Sequence, residues 1–249
     1  MPVLEKEETR IAGRHAITLE SMSVDAGRFE ETGTHPILLP YQERAVNRVA
    51  GSTSAIIATS TALNKRRMAV EVARRALERG LERVIVLTAA ALVDYWVEEI
   101  TVRFGVESAD VLRVQGDECV RDVAYFGSKA HWVVLSYDLL IRDAPMLQRL
   151  AANACLVVDN ADEVVNPKCK RGAATRTVAK LAEARLGLLG PADRYYFPDW
   201  HSLVELILDP KRENRNNVKD AALAACSAAG HMYSVLTMHP SCNVLQELH

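Results

Sequence analysis

Residues 55–70 read A-I-I-A-T-S-T-A-L-N-K-R-R-M-A-V, a short apolar strand, a loop, a lysine and then a helical run. That is the layout of a phosphate-binding loop. Residues 155–163 read C-L-V-V-D-N-A-D-E, a buried-strand pattern that ends in an aspartate where a magnesium-coordinating carboxylate is expected. The chemistry of such a loop needs glycines, so that backbone N–H groups can approach phosphates, and a Ser or Thr hydroxyl after the lysine to hold Mg²⁺. Ala62, Asn64 and Arg66 occupy those places. The layout is present, and the residues at its reactive positions are altered.

Outward from these two stretches the chain alternates strands with helices. Strands are predicted at 54–58, 83–88, 110–114, 132–136, 155–159 and 185–189, several of them continuous apolar runs of the kind covered on both faces. Helical patterns lie between them at 40–50, 65–80, 90–104, 138–151, 171–183 and 199–208, with Gly80 placed to cap the second. Such alternation predicts a parallel α/β sheet with helices on both sides, its ligand site at the carboxyl ends of the strands. Residues 1–37 read as an N-terminal arm or small hairpin, 38–210 as the lobe, and 211–249 as a C-terminal helical extension built on an Ala-rich helix at about 217–229.

The 249 residues are 49% hydrophobic and 25% charged, enough for a full core without staples. A formal charge of −2 supplies no global basic field, so nucleic-acid contact would need a local patch. Five cysteines (119, 155, 169, 226 and 242) lack C-x-x-C pairing and zinc-ligand spacing. They predict free thiols in a cytoplasmic, or nucleoid- or nucleus-associated, protein with no metal site. Neither a secretory leader nor an apolar run of about 18 residues is visible, so neither secretion nor membrane association is expected.

Taken in order, further segments carry a resemblance. They are Leu39-Pro40-Tyr41-Gln42, Ala58 to Arg66, Val84 to Ile100, Val133 to Leu140, Asp159-Asn160-Ala161-Asp162 with Val165-Asn166-Pro167-Lys168, Leu188 to Ala192, and Trp200 to Pro210. Over residues 38–210 the set resembles the first RecA-like lobe of the Swi/Snf-type helicase-like ATPases of superfamily two. The resemblance implies a RecA-like, P-loop-NTPase-like α/β fold, a parallel sheet sandwiched between helices. It assigns Gln42 to adenine, Lys65 to phosphate and Asp159 to magnesium, with Arg66 beside them, and leaves a residual ATP and Mg²⁺ site at these four residues.

The departures bear on activity. In the family the carboxylate after the magnesium-binding aspartate polarises the attacking water; Asn160 stands there, and an amide takes no proton at neutral pH. Arg66 replaces the magnesium-binding hydroxyl, although a guanidinium there could itself bind phosphate. The Thr-Gly-Thr-Pro coupling segment has become Leu189-Gly190-Pro191-Ala192, and the residues after Pro210 are too few for a second RecA-like lobe. Lost base and lost arginines each lower a phosphoryl-transfer rate by orders of magnitude.

The resemblance and its departures together predict a catalytically inactive, pseudo-ATPase lobe acting as a binding or regulatory module for nucleic acid or a protein partner. The alternatives are the ATP-binding lobe of a DNA-dependent translocase completed by another chain, and a self-assembling structural protein or homo-oligomer. For nucleic acid the candidate contacts are Lys168, Lys170, Arg171 and Arg176, on a loop entering a helix. If nucleotide is not bound, Lys65 and Arg66 read as solvated cations at a helix start or as contacts to another partner. Trp96, Trp132 and Trp200 read as core, and Cys155 as a small core hydrophobe.

Overall fold

The computed structural model describes residues 18–20, 38–59, 63–190, 197–207, 233–238 and 245–248. Six strands form the centre: β2 (Ser54–Thr59), β3 (Arg83–Thr88), β4 (Val111–Arg113), β5 (Trp132–Ser136), β6 (Ala154–Val158) and β7 (Ala184–Leu189). They lie in the order β2-β7-β6-β3-β5-β4, and every pairing among them is parallel. Each falls within a residue or two of its predicted position.

The apolar runs are continuous because side chains alternate between two buried cores. Ala55, Ile57, Val84, Val86, Trp132, Val134, Cys155 and Val157 point to one face. There they meet α1 (Pro40–Val49), α2 (Lys65–Glu78) and α3 (Val93–Glu98). Ile56, Ile85, Leu87, Val133, Leu135, Leu156 and Val158 point to the other, against α5 (Tyr137–Ala151), α6 (Lys170–Ala179) and α7 (Phe197–Ile207). A strand that must be apolar on both faces shows no alternation in sequence.

Local signals end the helices where they should. Gly80 has φ +101° after α2; its N–H bonds Leu77 O at 2.9 Å and the next N–H, from Leu81, bonds Ala76 O at 3.2 Å. These two bonds are a Schellman closure, as the glycine predicts. The single helix expected over 90–104 is instead a 3-10 turn (Ala90–Leu92), α3, and a π-helical turn (Glu99–Arg103).

Two further parts of the fold differ from the sequence-based expectation. Within the extension expected to be helical, Tyr233–Met238 (β8) and Leu245–Leu248 (β9) are strands. β8 runs antiparallel along β2, Ile56 opposite Leu236, and β9 pairs with both β8 and the short β1 (Thr18–Glu20). Y-S-V-L-T-M mixes β-branched and aromatic residues, and β2 would otherwise leave a row of backbone groups unpaired at its edge. The helix expected at 217–229 and most of the 1–37 arm lie outside the described residues.

The other difference is α4 (Glu118–Gly127), which no apolar periodicity predicted. It attaches through polar groups. Arg121 makes a bidentate pair with Asp143 of α5, both bonds at 2.7 Å, and also donates to Gly116 O at 2.8 Å. Tyr125 donates to the same carboxylate at 2.9 Å. The hydrogen bond and charge of Asp143 hold the guanidinium above its ordinary value against the opposing effect of burial. A fully satisfied buried pair of this kind orients a helix, even where it adds little net stability.

One glycine decides how closely α6 sits. A Cβ on Gly172 would fall on the Asn166 carbonyl oxygen and come within 2.9 Å of Val164 O, both fixed backbone. Gly172→Ala should therefore lower stability by about 2 kcal/mol or more, since overpacking against backbone has no side chain to relax. Urea unfolding of the two proteins measures this.

Candidate functional site

The sequence-derived candidates gather at the carboxyl ends of β2, β3, β6 and β7, where a doubly wound sheet places its ligands. Asp159 follows β6 and is 2% exposed. Its Oδ2 accepts from Thr88 Oγ1 at 2.9 Å, at the end of β3, and from Trp96 Nε1 at 2.7 Å, on α3. Its backbone carbonyl accepts from Tyr137 OH at 2.6 Å. A buried carboxylate needs such donors, and here they come from two separate elements, with a third on the backbone carbonyl.

Lys65 is also buried. Its ammonium donates to Leu189 O at 3.1 Å, across the sheet at the end of β7. The picture of a solvated helix-start cation is corrected for this residue: its position at the start of α2 aims the stem inward over the strand ends. Gln42 is fully buried too, so it is not a surface residue of α1. Its Oε1 accepts from Leu39 N at 3.0 Å and its Nε2 donates to Leu63 O at 3.1 Å, tying the start of α1 to the end of the loop. Tyr41 OH reaches the same Leu63 carbonyl at 3.4 Å.

Arg66 is half-buried, its guanidinium over the ring of Tyr95 at 5.7 Å from the centroid. This cation–π contact links α2 to α3. Asn64 (φ 51°) and Asn160 (φ 49°) both adopt the left-handed conformation, which asparagine tolerates better than other side chains except glycine. At Asn64 the backbone thus takes a conformation that glycine adopts freely, with a side chain added. Residues 60–62, including Ala62, and Pro191 and Ala192 lie outside the described residues.

The basic cluster separates into two kinds of residue. Lys168 and Lys170 are exposed. Arg171 pairs with Asp138 and with Glu163, each at 2.8 Å. Arg176, expected among the phosphate contacts, is instead an internal staple. It donates to Val164 O at 2.9 Å, to Val165 O at 3.0 Å and to Ser202 Oγ at 2.6 Å, holding α6 to the 3-10 turn Ala161–Val164 and to α7. Burial lowers its pKa, as expected for a cation taken out of water.

Trp96, Trp132 and Trp200 are core residues, each 1% exposed or less. Cys155 is buried mid-strand, and desolvation pushes its thiol up to about 12, which makes it inert. Among the described residues no group of three or more His, Cys, Asp and Glu is placed to hold a metal. No helix among them is long and apolar enough to cross a membrane. The residues that sequence reasoning missed are Thr88, Tyr95 and Tyr137 as partners of the site, and Trp96 in its second role. The one available signal was the indole N–H of Trp96, a donor that a buried tryptophan must satisfy.

With this geometry established, comparison with solved structures is informative. The SWI2/SNF2 ATPase core of Sulfolobus solfataricus, solved in complex with double-stranded DNA, superimposes with a TM-score of 0.61 at 17% identity, covering 88% of this chain and 47% of that one. The Hef helicase domain of Pyrococcus furiosus gives 0.55 at 20% identity, covering 69% and 35%. The UvsW helicase of bacteriophage T4 gives 0.52 at 13% identity, covering 67% and 57%. The chain shares the RecA-like α/β fold of these structures, and it spans 35% to 57% of their length. No family model matches it, and no curated protein does.

Two outcomes follow from the site's geometry. Asn160→Glu should lower stability by about 1 kcal/mol, because a left-handed residue loses its tolerant side chain; thermal unfolding reads it. Burial first, then the charges of Asp159, Glu163 and Asp162, raise the Tyr137 phenol well above its ordinary value, and burial with Asp143 raises that of Tyr125. Above pH of about 10 the unfolded chain gives up these protons while the native chain keeps them, so stability should fall as pH rises through that range. Urea unfolding between pH 8 and 10.5 should show the loss, with a shallower slope in Tyr137→Phe.

Proposed function

We propose that this chain is a catalytically silent helicase-like lobe whose nucleotide site has become an internal joint, and that it acts as a binding or regulatory module. One observation carries the reading: the groups that would serve ATP are engaged with the protein itself. Lys65 holds Leu189 O, Asp159 Oδ2 holds Thr88 and Trp96, Gln42 bridges Leu39 and Leu63, and Arg66 lies on Tyr95.

The residues fit Mg·ATP poorly. Phosphate would have to compete with a buried carbonyl for the lysine, and Mg²⁺ would meet a guanidinium at the residue meant to supply a hydroxyl. Asn160 offers an amide where a proton acceptor is required. The framework of two cores around a parallel sheet is meanwhile intact, which suits a protein kept for its surface. A protein partner is favoured over nucleic acid, because two of the four candidate cations are spent on internal contacts. The Sulfolobus neighbour was solved with DNA, and any equivalent contact here would rest largely on Lys168 and Lys170.

Thermal unfolding with and without millimolar ATP and Mg²⁺ tests the reading. A ligand at a hundred times its Kd stabilises the native state by about 2.7 kcal/mol, so a working site would raise the midpoint by several degrees. No shift is expected, and no phosphate release with or without DNA. A clear shift, or DNA-stimulated release, would restore the translocase-lobe reading. In the absence of nucleotide, Lys65→Ala should lower stability by about 1–3 kcal/mol, the cost of leaving a buried carbonyl without its charged donor.

A further inference from the structure

Helix α4 is inside out. The face it turns to the domain carries Arg121 and Tyr125, both buried on the Asp143 carboxylate. The face it turns to solvent carries Val120, Val123 and Phe126, which are 55%, 73% and 69% exposed. Their spacing, i, i+3 and i+6, places them along one stripe. A helix anchored by buried polar groups gains nothing in its own domain from large apolar side chains on the outer face. Scattered surface apolar residues need no explanation, but three aligned on one helix do.

The charge around the stripe is of one sign. Glu118 is exposed and Asp122 half-exposed on the helix itself, with Asp117 at its N-cap accepting from Val120 N at 3.0 Å. Both arginines of this stretch are neutralised by other elements, Arg121 by Asp143 and Arg113 by Asp94. Lys129, beyond the helix end, is the first exposed lysine after the stripe.

We propose that the outer face of α4 is the docking surface for a basic amphipathic helix of a protein partner. Val120, Val123 and Phe126 would pack between the partner's apolar residues, and Glu118 and Asp122 would meet its lysines or arginines. Helix-against-helix recognition of this type uses apolar anchors at i, i+3, i+4 and i+7 on the incoming helix. An anionic membrane surface is disfavoured by the carboxylates. The inference rests on the reading of the chain as a binding module. It names the partner class, and its failure would be visible in peptide binding, separately from any nucleotide effect.

The test uses the full chain and a fluorescein-labelled peptide with leucines at i, i+3, i+4 and i+7 and lysines elsewhere, read by fluorescence anisotropy. Two controls are a scrambled peptide of the same composition and one with glutamates in place of the lysines. The helical basic peptide should bind at least about tenfold more tightly than either control, and the paired change Val123→Ser with Phe126→Ser should remove at least about tenfold of that, as loss of buried anchors does. Glu118→Lys with Asp122→Lys should weaken binding and flatten its dependence on salt. Val123 and Phe126 face outward, so the apolar pair should leave the melting temperature unchanged; if it does lower it, the charge pair still decides. Equal binding by both paired variants and the wild-type chain, or equal binding of the glutamate peptide, would overturn the proposal. So would a dimer in light scattering that the apolar pair dissolves, because the face would then belong to a second copy.

Discussion

The carboxylate of Asp159 is the group around which the strand ends are organised. Buried without donors it would be costly by several kcal/mol, and the structure meets that demand with Thr88 from the end of β3 and Trp96 from α3 on one oxygen. Tyr137, at the start of α5, bonds the backbone carbonyl of the same residue. One residue therefore fixes the relative positions of β3, β6, α3 and α5, on both faces of the sheet. The same principle extends across the strand ends: Lys65 ties α2 to β7, and Gln42 ties α1 to Leu63, just before α2.

At these strand ends the residues expected to serve a ligand are engaged with the protein itself. In a nucleotide-binding lobe, lysine and aspartate are partners of phosphate and metal. Here the same residue types complete the protein's own hydrogen bonding, and two asparagines, Asn64 and Asn160, take left-handed turns beside them. Arg176 follows the same course on the other side of the sheet. It reads as a surface cation in sequence, and its two terminal guanidinium nitrogens donate to carbonyls and a hydroxyl that close α6 against α7.

Helix α4 shows the complementary case. Its inner face is polar and its outer face apolar, so a search for the periodicity of a core-facing helix passes over it. Its attachment by Arg121, Asp143 and Tyr125 could not be read from spacing, because Asp143 lies on α5, one strand and twenty-two residues away. The strands β8 and β9 escaped for a related reason. A short mixed stretch has no secondary structure of its own, and only the unpaired edge of β2 makes β8 a strand.

The six central strands, six of the seven α-helices among the described residues and the left-handed tolerance of Asn64 were legible because each depends on local chemistry: apolar runs, helical spacing, a capping glycine, a side chain suited to positive φ. The replacement of a proton acceptor by Asn160 was equally legible, since an amide is an amide in any fold. The sequence by itself therefore determined the class of fold and the amide at position 160. Only the tertiary structure decided what the surviving residues touch. Whether Lys65 meets water, phosphate or Leu189 O, and whether Arg176 faces solvent or the interior, depends on segments far apart in the chain. The energy of a buried polar group is set by the partner that folding brings to it.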